Sequence, residues 1–369
     1  MGREDILDIY SNYLLYSTGQ TTATGLSEVL KGELSHDKIT RFLSTETFNE
    51  RTLWKKIKKL VRAFEEENAC LIFDDTVIEK PYMDESEIIG WHYDSKEGKP
   101  VKGINLLSSF YSSEKAGQVL RIPIGFKVIE KTEEYIDEKS GEKKRRSPAT
   151  KNEMMQEMVK RQMQNQVIFR YILADSWFSS AENMRFIEKK KKVFIFELKE
   201  NRLITDSEKK RNLGTFERLE QAEVPENKPV KVWIKDLEFP VLLFKQVFKN
   251  KDGKYGQRFL VSNDFTLTDD QFKTLYKKRW GVEEYHKSLK QNASIGNSPA
   301  HTERTQSNHI FSAIFAYVKL EKLKLATHLN HFAIKAEVYM ASMKTAMRAF
   351  QRLCESTDNL AFCVRLVNK

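Results

Sequence analysis

Two short apolar runs that end in acids constrain the fold of these 369 residues more than any other feature. Leu71-Ile72-Phe73 leads into Asp74-Asp75-Thr76, and Ile172-Leu173-Ala174 leads into Asp175. Consecutive apolar residues over so few positions suit buried strands, because a buried helix needs ten residues or more. The first strand reads from Ala69 to Val77, with its acids at the end; the second reads from Val167 to Ala174, and a third from Val193 to Leu198. Helical stretches separate them, one from Lys151 to about Gln164 and one capped by Ser180. Strands alternating with helices define an α/β core, and such cores present reactive groups where strands end.

The flanks differ. Residues 1–66 read as helical: Leu26, Val29 and Leu30, then Ile39, Phe42 and Leu43, recur at helical spacing either side of Gly32. Gly32 is a stop for the first helix and Ser35 an N-cap for the second, which has the outline of a helix-turn-helix with His36, Asp37, Lys38, Thr40 and Arg41 outward. An ordinary helical hairpin has the same spacing. A helix from Glu50 to Glu67 carries Lys55, Lys56, Lys58 and Lys59. Val101–Ser113 and Gln118–Glu130 read as strands joined by a polar turn, and the charged stretch 131–150, with Lys143-Lys144-Arg145-Arg146, reads as a mobile loop. Val230–Ile234, Val241–Phe248 and Gln257–Ser262, the last two joined by a turn over 250–254, make 200–265 a β-rich insertion. Thr268-Asp269-Asp270-Gln271 is a capping box opening a helix to about Lys290, and 303–369 is helical.

The formal net charge of +10 favours a polyanionic partner, since neutralised phosphates release counterions, although a basic solvated face has the same composition. Cys70, Cys354 and Cys363 form no CxxC pair and read as reduced thiols. No apolar run approaches membrane-spanning length and no apolar signal segment opens the chain, so a cytoplasmic location is expected.

Asp74, Asp75, Asp175 and Glu283 stand out by location. Carboxylates converging from separate elements suit Mg²⁺ or Mn²⁺, hard cations that take oxygen ligands. Two such ions about 3.5–4 Å apart can activate an attacking oxygen and stabilise a leaving one. On a continuous helix Tyr276, Arg279, Glu283 and Lys290 fall within about 60° of one another, apart from the apolar stripe Leu275, Val282 and Leu289. A solvated face laced with ion pairs such as Arg279–Glu283 would share this pattern.

The run Tyr276-Lys277-Lys278-Arg279-Trp280-Gly281-Val282-Glu283, followed by Lys290, resembles the Tyr-x2-Arg-x3-Glu-x6-Lys signature of cut-and-paste bacterial insertion-sequence transposases with a DDE site. Leu71–Thr76 resembles the first aspartate segment of that family and Ile172–Phe178 the second, so the resemblance spans about residues 70–295. It implies a ribonuclease-H-like mixed sheet with helices on both faces, formed by 67–199 and 266–300 and interrupted by the β-rich 200–265. It implies a DNA-binding region at 1–66 and a dimerising helical region at 301–369. It also implies metal ligation by Asp175 and Glu283 with Asp74 or Asp75, Asp74 being narrowly favoured, and two Mg²⁺ or Mn²⁺ ions. Tyr276, Arg279 and Lys290 would contact phosphates of double-stranded DNA at element ends and target, bound by a homodimer, and Trp280 would either pack against its bases or belong to the core. The rival readings are a metal-dependent nuclease or resolvase on the same fold, and a catalytically silent DNA-binding remnant.

Overall fold

The computed structural model describes residues 2–94, 98–138, 141–249 and 253–367, with the side chains of Asp94 and 356–367 left aside. Four helices come first: α1 (Arg3–Tyr16), α2 (Ala23–Val29), α3 (His36–Thr45) and α4 (Glu50–Ala63). The expected punctuation is used. Gly32 takes a φ of 79°, in the left-handed region, and the Ser35 hydroxyl accepts from the Lys38 amide at the start of α3. Leu26, Ile39, Phe42 and Leu43 are buried, but Val29 is exposed and belongs to no core stripe.

The strands that follow are β1 (Cys70–Glu79), β2 (Ile89–Asp94), β3 (Lys99–Lys115) and β4 (Gln118–Val128). Next come a small hairpin, β5 (Glu133–Ile136) and β6 (Lys143–Arg146), then α5 (Lys151–Gln164), β7 (Tyr171–Ala174), α6 (Ala181–Lys189) and β8 (Val193–Leu198). The hairpin corrects the expected mobile loop. Its strands are solvent-exposed on both faces and held largely by opposite charges, so hydrophobic periodicity could not find them. Lys143 and Arg145 pair with Glu134, Lys144 with Asp137 and Arg146 with Glu133.

In the centre of the sheet the order is β4–β3–β1–β7–β8, where β3 is antiparallel to both β4 and β1, and β1, β7 and β8 are mutually parallel. Gly103 of β3 is needed for the β1–β3 approach, since a Cβ there would lie 2.3 Å from the Ile78 carbonyl oxygen. Beyond β8 come β9 (Leu203–Thr205), α7 (Glu208–Asn212), β10 (Glu217–Arg218), β11 (Val230–Ile234), β12 (Val241–Lys249) and β13 (Tyr255–Ser262). β13 pairs with β8, so 200–265 extends the central sheet from its β8 edge. Within the expected turn over 250–254, Asn250, Lys251 and Asp252 lie outside the described residues.

The chain closes with α8 (Asp269–Lys277), α9 (Trp280–Gln291), α10 (Glu303–Thr327) and α11 (His331–Val367). The Thr268–Gln271 capping box forms, but the helix expected to run on to Lys290 is two helices. Backbone bonds tighten to the i→i−3 pattern at Lys278, Arg279, Gly281 and Val282, which rotates α9 relative to α8. α10 lies in the core against the N-terminal helices. Tyr10 donates to His309 Nδ1 at 2.9 Å, and the Asn308 amide donates to the Leu43 and Glu46 carbonyls at 2.8 Å. The architecture is a ribonuclease-H-like mixed sheet flanked by helices, as expected. Among the described residues no helix is long and apolar enough to cross a membrane.

Candidate active site

β1 continues four residues past Asp75, pairing with β3 as far as Glu79. Asp74 and Asp75 therefore lie mid-strand, and not at its end as the sequence suggested. The apolar run stops at Asp74, but the backbone ladder does not. Successive strand residues face opposite sides. Asp75 turns towards α5, where Lys151 Nζ donates to both its oxygens at 2.9 Å. Asp74 turns towards α9, with Arg279 Nη1 and His286 Nδ1 each 3.9 Å from its Oδ2. Helices thus cover both faces at this point.

Asp175 directly follows β7, and its Oδ1 accepts from the Trp177 amide at 3.0 Å, which fixes the carboxylate as the chain turns. Phe73 is in parallel register with Ala174, and Ala174 with Phe196. Asp74, Asp175 and Glu197 therefore occupy the next rung of three adjacent strands. Glu283 comes from the first turn of α9, where it accepts from Arg279 Nη2 at 2.8 Å. The fold thus brings Asp74 and Glu283 to the Arg279 guanidinium, places Asp175 on the neighbouring strand within its electrostatic influence, and directs Asp75 away to Lys151.

The electrostatics follow from burial and like charge. Burial first, and then Asp175 beside it, push the Asp74 carboxyl up to about 7 against the opposing pull of Arg279. Burial also raises Asp175, with Asp75 and Glu197 adding to the effect. Burial works against the charge on Arg279, but Tyr276, Asp74 and Glu283 more than offset it and hold the guanidinium protonated.

The remaining expected residues divide. Trp280 is 51% exposed beside the acids in sequence, and Lys290 is exposed two turns beyond Glu283. Tyr276 is not on a DNA-facing surface: it is 2% exposed, and its hydroxyl donates to Glu197 Oε2 at 2.8 Å. The tightened turn at 278–281 rotates it inward from the face a continuous helix would share. Leu275, Val282 and Leu289 are buried as the stripe required. Two neighbours escaped notice in the sequence. Glu197 is a lone acid inside the apolar run Val193–Leu198, and His286 stands three residues after Glu283; both patterns were available.

These donors suit a hard divalent cation by chemistry: all three are carboxylates, and burial together with the charge of Asp175 raises Asp74. As arranged, Arg279 holds the place of a cation between Asp74 and Glu283, and among the described residues no group of three or more His, Cys, Asp or Glu is positioned to hold a metal ion. Loading would require Glu283 to exchange its arginine for the ion.

Residues 2–207, more than half of the chain, match the family described as DDE superfamily endonuclease. The chain belongs to the DDE superfamily. Residues 148–319 also match the transposase DDE domain. The first match contains Asp74 and Asp175, and the second contains Asp175 and Glu283. Enzymes of this superfamily act on DNA and generally depend on divalent metal. No curated protein matches the sequence.

Proposed function

We propose that the protein is the cut-and-paste transposase of a bacterial insertion sequence, recognising terminal inverted repeats and joining their freed ends to target DNA. The observation that carries this reading is the pairing of Asp74 from β1 and Glu283 from α9 with one guanidinium, whose charge also acts on Asp175 at the end of β7. Asp74, Asp175 and Glu283 would hold the divalent ions, Mg²⁺ or Mn²⁺, and Asp75, committed to Lys151, stands aside. The ions supply activation of the attacking oxygen and stabilisation of the leaving one in an in-line displacement at phosphorus.

The protein's own groups do the rest. Asp74 and Asp175 sit on rigid sheet positions, so their oxygens are fixed before DNA arrives. Exposed Trp280 packs against bases near the cut end, and Lys290 takes a phosphate. Arg279, released from Glu283 when the site fills, neutralises a second phosphate. The helices of 1–66 bind the element ends, 67–199 and 266–300 form the catalytic domain around the β-rich 200–265, and 301–369 pairs two protomers. The +10 charge supports a DNA partner on electrostatic grounds.

The test is strand cleavage of a duplex carrying the element's own ends in Mg²⁺. Wild type should nick at the end junction, Glu283→Ala and Asp74→Ala should lose the activity while still binding, and Asp75→Ala should retain it. Binding without cleavage by wild type would replace the transposase reading with that of a silent DNA-binding remnant, and cutting by Glu283→Ala would remove the site assignment.

A further inference from the structure

Glu197 is an acid in a strand whose other central residues, Phe194, Ile195, Phe196 and Leu198, are all buried. Glu197 is itself half-buried, and a carboxylate withdrawn from water costs free energy unless it is hydrogen-bonded or paired. Its register puts it on the rung of Asp74 and Asp175, yet its hydrogen bond comes from a neutral group, the Tyr276 hydroxyl at 2.8 Å. Tyr276 is the last-turn residue of α8, immediately before the tightened turn that leads to Arg279 and α9. Its ring centre lies 5.5 Å from the Arg279 guanidinium carbon, within the range at which an aromatic face attracts a cation. Arg279 in turn reaches Glu283 at 2.8 Å and Asp74 at 3.9 Å.

We propose that Glu197 is a positioning residue of the acid site, which by holding the Tyr276 hydroxyl keeps Arg279 seated between Asp74 and Glu283. The inference rests on the reading of those acids as the metal site. It gives Tyr276 a role directed at the arginine and not at DNA, and it explains why a tyrosine is fully enclosed where a phosphate contact would need it exposed. The guanidinium occupies the charge that an ion would otherwise supply, so the Glu197–Tyr276 pair sets how readily an ion displaces it.

Calorimetric titration of the full chain with Mn²⁺, without DNA, reads this directly. Arg279→Ala removes the competing cation and should tighten Mn²⁺ binding several-fold. Tyr276→Phe keeps the ring and the Glu197 charge but loses the anchor, and should tighten binding by about two- to five-fold. In the Arg279→Ala background Tyr276→Phe should change nothing, because its effect passes through the arginine. Glu197→Gln keeps an acceptor for Tyr276 and measures the lost charge alone. Glu197→Ala should then bind Mn²⁺ more tightly than Glu197→Gln, by the factor that Tyr276→Phe shows over wild type.

A damaged fold would weaken Mn²⁺ binding, so a gain in affinity separates positioning from mere structural support. Unchanged affinity in Tyr276→Phe would overturn the inference while leaving the metal site standing. Losses of ten-fold or more in both Glu197 variants, whether or not Arg279 is present, would make Glu197 a ligand and equally overturn it. Failure of both wild type and Arg279→Ala to bind Mn²⁺ would refute the metal reading itself, and this inference with it.

Discussion

Replacing Asp74 by Asn should stabilise the metal-free protein at neutral pH, and by an amount that depends on pH. The unfolded chain releases the Asp74 proton near 3.8, whereas the folded protein holds it until about 7. Between those values the folded state binds the extra proton, so stability falls as pH rises through the window. Three units at about 1.4 kcal/mol each set an upper limit of about 4 kcal/mol for the cost of ionised Asp74 at pH 8. At pH 5 only the first of those units has accrued, which leaves about 1–2 kcal/mol. Asparagine imitates the protonated acid and escapes the cost. Urea unfolding in EDTA at pH 5 and pH 8 should therefore show Asp74→Asn gaining about 2–4 kcal/mol at pH 8 and less at pH 5. Millimolar Mg²⁺ should reverse the order, because wild type gains binding free energy that the variant cannot. A variant destabilised equally at both pH values would show that Asp74 serves the fold and is not an electrostatic burden on it.

The DNA-facing and packing assignments are open to equally direct checks. Trp280→Ala, with its indole half in solvent, should change stability by less than about 0.5 kcal/mol while weakening binding to precut ends; equal affinity would remove the base contact. Lys290→Ala should lower the slope of log affinity against log salt by about one, and an unaltered slope would mean that the ammonium meets no phosphate. Gly103→Ala must push against the Ile78 carbonyl and should lower stability by about 2 kcal/mol or more, since both elements are backbone and neither can swing aside; a mild change in urea midpoint would mean that β1 and β3 separate easily.

What the sequence made legible, and what it hid, follow from the range of the interactions involved. The parallel strand β8, the caps Ser35 and Ser180 and the Thr268 capping box rest on local chemistry, and each is where its residues pointed, whereas β7 forms only over Tyr171–Ala174, the second half of the apolar stretch expected from Val167. Asp74 and Asp175 stood out as candidates because a carboxylate interrupting or closing an apolar run is locally conspicuous, and Glu283 because of its spacing from Tyr276, Arg279 and Lys290. The choice between Asp74 and Asp75 was not legible, since two adjacent residues differ only in the face they take, and that is decided by α5 and α9 from far along the chain. The β5–β6 hairpin was hidden because cross-strand charge pairs carry no hydrophobic period. The division of α8 from α9 was hidden because its backbone stays near helical angles throughout, with only the bonding shifted by one residue.

That one-residue shift has a large effect. On a continuous helix Tyr276 would share a face with Arg279 and Glu283, and all three would compete for the same groove. Tightening the turn over 278–281 sends Tyr276 inward to Glu197, leaves Trp280 in solvent and lets Arg279 span back to Asp74. The acids are thereby held close, at an electrostatic cost visible in Asp74, with a guanidinium as internal counter-cation. Such a site is biased towards accepting a cation of higher charge, because the ion relieves carboxylate repulsion more fully than one arginine can. On the proposed reading, an arginine freed from Glu283 would be available to a phosphate of the bound DNA. A single side chain can therefore serve the empty and the filled site in turn, provided that its anchor keeps it within reach of both.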